Sequence, residues 1–304
     1  MSEQLKYSFK KERMQFFRTL KFMGFILAIF GFAIANPLMY KFTGLMFNEL
    51  NKSDKTPDTA MTATVTTTAE LSDGNDVLDE ILGGMGMDEM VSIYTHANTT
   101  YAFCLVSFTS YSLLIMMLVM MSPAGGEQKK RAMIVPQCCG LKTSCYLIPK
   151  FVIYPLAAFV LTFLGGLTAG GLCDVLYDVD RVSFDMMALG SLFIAIYVAF
   201  IVAIYLSLGI CSSRAGLMVG AVFIGQMFLQ SMLEAMGLSD YQPFSLVTVA
   251  NQMYYEGYDL AEKTPSILVS IGLALVIGVL MFVLAVAVLN AKKIDNQEEE
   301  KPEF

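Results

Sequence analysis

The chain reads as an all-α membrane protein: six transmembrane helices with an N-terminal interfacial helix. Two observations predict this class. Six long apolar runs occur, Phe22–Tyr40, Thr100–Met121, Ile148–Leu172, Asp185–Ile210, Ala215–Gly237 and Ser266–Asn290. Each is near or above the length of about 20 residues that carries a helix across the hydrocarbon. Composition agrees, with 56% hydrophobic and 15% charged residues, against roughly 25% charged in soluble domains. A spanning segment must satisfy its backbone hydrogen bonds internally, as a helix or in a closed barrel. Barrel strands show about ten residues of alternating polarity, and these runs are continuous and longer.

The elements follow in order. Residues 1–21 form an amphipathic helix, with Leu5, Phe9, Phe16 and Leu20 on one face and Lys10, Lys11, Arg18 and Lys21 on the other. Such a helix lies in the membrane interface with its basic face toward anionic headgroups. The first run contains Ala33-Ile34-Ala35, which resembles a signal-peptidase site. The long helical basic segment before it and the apolar continuation through Pro37, Leu38 and Met39 favour a retained helix. Segment 41–98 is the one large loop, Thr-rich over Thr56–Thr68. It has a second amphipathic pattern at Leu78, Ile81, Leu82 and Met85, with the lone His96 as a solvated residue near its end. Loop 122–147 opens on Ser122-Pro123-Ala124-Gly125-Gly126, a helix stop, and a short helix lying across the membrane face is expected within it. Cys211-Ser212-Ser213-Arg214 forces a tight helical hairpin. Stretch 238–264, rich in Tyr and Phe, suits a re-entrant segment at the outer surface. The tail, 291–304, ends in an acidic stretch from Asp295 expected to be disordered.

Lys and Arg set the orientation. Fifteen lie on the side holding the N-terminus, loop 122–147 with Lys150 just beyond it, Arg214 and the tail, and five on the other. Both termini are therefore expected to be cytoplasmic, in a multi-pass protein of the cell membrane. Segment 41–98 carries ten acidic residues against three lysines, and so holds all of the net charge of -7. The low isoelectric point thus says nothing about cytoplasmic partners, and no nucleic-acid partner is expected.

Sites of chemistry are scarce. The chain has no GxxxxGK[ST] phosphate loop, no HExxH, no GxSxG and a single histidine. ATP binding by that loop and zinc-protease chemistry of that type are excluded. Cys138, Cys139 and Cys145 lack a nearby His and a CxxC spacing, so no metal site is expected. No catalytic residue and no cofactor of the chain itself is expected. Polar stripes inside the runs are more informative. Gln226, Gln230 and Glu234 are four apart and share a face. At about 1.5 Å per residue, Gln226 lies near mid-membrane. That face lines a polar pathway or supports interhelical hydrogen bonds, and for Glu234 a snorkelling boundary position is the simpler reading. A weaker stripe on the second run is formed by Thr100, Ser107 and Tyr111, with Cys104 between them. Gly166/Gly170 and Gly216/Gly220 have the spacing that lets helices approach closely.

Taken together, the layout resembles the permease subunit of ABC-2 type ABC exporters. The basic helix before the first span and the large loop after it match. Ala124-Gly125-Gly126-Glu127-Gln128-Lys129-Lys130-Arg131 is similar to the family's Gly-Glu/basic segment, and Tyr146-Leu147-Ile148-Pro149-Lys150 to its hydrophobic-plus-Lys return into the membrane. Leu208–Gly216 is similar to its fourth-to-fifth hairpin. The departures are a Cys-rich 131–145 and the Thr-rich insert. The resemblance implies two permease subunits, homo- or heterodimeric, each docked on a separate cytoplasmic ATPase that binds ATP and Mg. It makes 122–147 the coupling loop, with Glu127, Lys129, Lys130 and Arg131 contacting the ATPase. It also places the second and fifth helices along the pathway.

Two other functions compete. A non-transporting binding or immunity protein would capture cationic peptides through the acidic 41–98 segment. A membrane enzyme would rely on Glu234 or Asp174.

Overall fold

A computed structural model describes residues 2–18, 20–53, 96–129, 142–177, 179–212, 214–237, 239–255 and 258–299. The expected helix over 78–85 and the Thr-rich stretch lie outside them. Among the described residues the fold is all-helical: α1 Ser2–Arg18, α2 Leu20–Ser53, α3 Ala97–Lys129, α4 Thr143–Leu176, α5 Phe184–Cys211, α6 Ala215–Ala235, α7 Ser245–Gln252 and α8 Leu260–Glu299. Five of these helices, α2 to α5 and α8, are long and apolar enough to cross a membrane. The chain is a multi-pass, all-α membrane protein. The expected fifth span is α6, whose strongly apolar described stretch is the shorter Ala215–Gln230.

Burial ranks the helices by position. In α5, 61% of the apolar window is buried, against 11% in α8. The central α5 touches α3, α4, α6, α7 and α8. It begins where the Ser183 hydroxyl accepts from the Met186 amide, with Asp185 in its first turn, as capping and the helix dipole favour. It ends at Cys211, where the Ser212 hydroxyl accepts from the Arg214 amide at 3.1 Å and closes the turn into α6. That is the tight hairpin expected from the sequence.

The α4–α5 contact is built on missing side chains. A Cβ on Gly166 would sit 2.6 Å from Ser191 Oγ, and one on Gly170 2.7 Å from Met187 Sδ. The first small-residue pair therefore does what its spacing predicts. The second does not: Gly220 has nothing within 4 Å.

Several boundaries differ from expectation. α3 runs through Ser122–Gly126 to Lys129 with Pro123 inside it. An interior proline removes one backbone bond and kinks a helix, but it need not end one. α2 continues past Pro37 to Ser53, and so takes in the start of the expected loop. α8 continues to Glu299, so 295–299 are helical rather than disordered. α1 buries Ser8, Glu12 and Phe16, and leaves Leu5 and Phe9 only partly covered. Its packed stripe is shifted from the expected apolar face because a charged partner awaits Glu12 on α4. His96 is not simply solvated: it pairs with Asp180, in the loop between α4 and α5, and bridges Val179 through the backbone.

Candidate functional site

At the α1 end of the bundle, three elements meet at one ammonium. Lys150, in the second turn of α4, and Glu12, at the middle of α1, form an ion pair at 3.2 Å with side chains 1% and 3% exposed. Lys150 Nζ also donates to the carbonyl of Pro123, near the end of α3, at 3.3 Å. It lies 4.9 Å from the Tyr146 ring centroid, and Lys11 approaches the same ring at 5.7 Å. The neighbouring contact is apolar, with Phe16 of α1 edge-on to Tyr154 of α4 at 5.2 Å. Helical spacing explains the convergence. Ser8, Glu12 and Phe16 share one stripe of α1, and Tyr146, Lys150 and Tyr154 share one stripe of α4.

A second polar feature involves two glutamines. Gln226 of α6 and Gln242, just before α7, line a cavity of about 590 Å³ with apolar walls from α5 and α8, including Phe200, Ile204 and Ile277, and from Phe244 at the start of α7. Both glutamines are buried. Among the described residues, neither Gln226 Oε1 nor Gln242 Oε1 has a hydrogen-bond partner. The segment before α8 folds back into the bundle: α7 packs on α3 and α5. Its end is fastened by the Tyr254 hydroxyl donating to the Met186 carbonyl at 2.8 Å.

No protein-family model, curated protein or solved structure matches the chain. The reading of the site therefore rests on its own geometry.

The stripe residues part company. Thr100 is buried and donates to the His96 carbonyl at 2.8 Å. Ser107 shares a hydrogen bond with Tyr40 of α2 at 3.2 Å, and Tyr111 stacks on Phe32 of α2 with centroids 4.5 Å apart. None of these three lines the Gln226 cavity. Gln230 is half-buried on the same helix as Gln226. Glu234 sits in the last turn of α6, and its side chain lies outside the described set. Glu127 and Lys129 fall in the final turn of α3, also without described side chains, and Lys130 and Arg131 lie outside the described residues. Asp174 is half-buried in α4. No group of three His, Cys, Asp or Glu side chains could hold a metal among the described residues.

Sequence reasoning missed Glu12. Its signal was present: an acid flanked by Lys11 and Arg13, one turn before Phe16, in a predominantly basic segment. At the opposite end of the bundle the charged groups remain near the surface. Lys263 pairs with Asp240 at 2.7 Å, with side chains 39% and 49% exposed. Nearby, burial raises the Tyr258 hydroxyl above its ordinary range; Lys263 offsets this in part and Asp240 adds to it.

Proposed function

We propose that this chain is the membrane-spanning permease subunit of an ATP-driven ABC-2 type exporter, in a six-span arrangement with α6 as the fifth span. The observation that carries the reading is the buried junction of Glu12, Lys150 and the Pro123 carbonyl. Pro123 and Lys150 stand at the two flanks of loop 122–147, and Glu12 belongs to the helix at the membrane surface. Force on that loop from a docked ATPase would reach α1, α3 and α4 together. An ion pair removed from water resists separation, because each charge left alone would keep its desolvation cost. The rigid link is what coupling requires.

The remaining parts follow from this reading. Glu127, Lys129, Lys130 and Arg131 contact the ATPase, which supplies the ATP and Mg sites. A second permease subunit completes the pathway, with α3 and α6 along it. Gln226 contributes a polar group to the wall of that pathway. Both termini are cytoplasmic by the Lys and Arg bias.

The test is a mild-detergent pull-down from the native host, with mass spectrometry and an ATPase assay on the eluate. A stoichiometric ATPase subunit with a phosphate loop supports the reading. Loss of stimulated ATPase activity in Glu127→Lys or Lys130→Glu assigns the coupling residues. A clean preparation without an ATPase, repeated in lipid nanodiscs, overturns it. The weight then moves to capture of cationic peptides by segment 41–98, whose acidic excess favours that second reading.

A further inference from the structure

α1 and α4 enclose an open groove of about 760 Å³ on the outside of the bundle. Its floor is apolar: Phe16 and Phe17 of α1 meet Leu156, Val160 and their neighbours on α4. Its rim carries three cations, Lys6, Lys10 and Arg13, and no acidic side chain among the described residues. The three stand at i, i+4 and i+7 and so occupy one face of α1. Among the described residues, no carboxylate pairs with any of them. Glu12, on the same helix, is turned into the bundle and paired with Lys150, and the exposed Glu3, one turn before Lys6, forms no ion pair with the three among the described residues.

We propose that this groove is a binding site for an anionic glycerophospholipid. The phosphate sits among Lys6, Lys10 and Arg13, and an acyl chain runs along α4. Charge complementarity selects the occupant. Three uncompensated cations at the end of an apolar channel match one molecule that is anionic at its head and apolar below it. A zwitterionic lipid supplies the apolar part without the net charge. The channel continues onto residues that already face the surroundings of the bundle, with Leu156 58% and Val160 42% exposed. A bound lipid would thus leave its lower chain among bulk acyl chains and be held at its upper part. Basic residues beside an anionic leaflet each contribute a factor of about five in binding, so three contribute on the order of a hundredfold. The site stands on the basic helix and the apolar bundle alone and does not depend on transport.

The experiment uses the full chain, reconstituted with a mixture of phosphatidylglycerol and phosphatidylcholine and released into native mass spectrometry. Wild-type protein retains phosphatidylglycerol over phosphatidylcholine, and rising salt removes the preference, as screening requires. The Lys6→Gln/Lys10→Gln/Arg13→Gln variant loses the preference by on the order of a hundredfold. Val160→Trp, which fills the channel and leaves the charges, lowers retention of phosphatidylglycerol as well. Equal retention of the two lipids by the wild type, or a triple variant that keeps the preference, overturns the proposal. So does a preference that is indifferent to salt. If the triple variant instead loses only a co-purifying protein, the face docks protein and the lipid assignment fails.

Discussion

The two ends of the bundle are fastened by different physics. At the α1 end, the tie is an ion pair with side chains 1% and 3% exposed, completed by a backbone carbonyl. At the opposite end, Lys263–Asp240 is partly exposed at the surface. There the buried ties are neutral: Tyr101 Oη meets Ser191 Oγ at 2.9 Å and the carbonyl of Gly166 at 3.1 Å, and Tyr254 holds Met186. A neutral hydroxyl network of this kind holds helices together at modest desolvation cost. A buried charge pair costs more to assemble than apolar packing of the same volume. Stability alone would not select it where it occurs. A junction that must move as a unit gains from it, because partial separation is heavily disfavoured.

The largest expected effect breaks the buried pair on one side. Lys150→Met leaves Glu12 in a closed site and should cost about 3–5 kcal/mol, read as a lower unfolding midpoint in detergent. Lys150→Met combined with Glu12→Gln removes both charges and should recover most of that stability, while coupling to any ATPase partner is lost. Equal losses in the single and double variants would show that the two residues do not act as a pair. Next comes the seam between α4 and α5, which extends the comparison to packing. Gly166→Leu forces a side chain onto Ser191 and should cost about 1–3 kcal/mol, as overpacked cores do. Gly220→Leu, in open space within one subunit, should leave the monomer's melting unchanged. A clear loss at Gly220 would instead place a neighbouring chain against α6. Smaller again is Tyr101→Phe, which should lose about 1 kcal/mol and loosen α3 from α5, visible as faster amide exchange near Ser191. At the solvent end, Lys263→Met should leave the melting temperature where it was, since exposed ion pairs contribute little. A drop comparable to that of Lys150→Met would erase the contrast between the two ends.

Much of the molecule was legible in advance, for a reason particular to membranes. The backbone of a spanning segment has no water to bond, so length and continuity of apolar residues nearly fix its conformation. The runs ending at Leu172 and Ile210 match α4 and α5 to within a few residues. Helix ends read less well. Whether Pro123 terminates or merely interrupts a helix depends on what its neighbours offer, and here the helix continues to Lys129.

Spacing alone determined which residues share a face: Gln226 with Gln230, and Gly166 with Gly170. The length of the apolar runs and the composition determined the membrane class, and the short polar connection determined the hairpin at Ser212. Only the tertiary structure decided which neighbour each face meets. Two small-residue pairs of equal spacing part there, one pressed onto Ser191 and Met187 and the other left open at Gly220. Two polar stripes part as well, with Ser107 and Tyr111 committed to α2 and Gln226 turned into a cavity beside α5 and α8. The physical reason is that periodicity is a local property of one helix, set by backbone geometry. Partnership depends on rotation and height relative to other helices, and those are settled by the packing of the whole bundle. Glu12 shows it best: its charge was plain in the sequence, and its meaning came from Lys150, on a helix more than a hundred residues away.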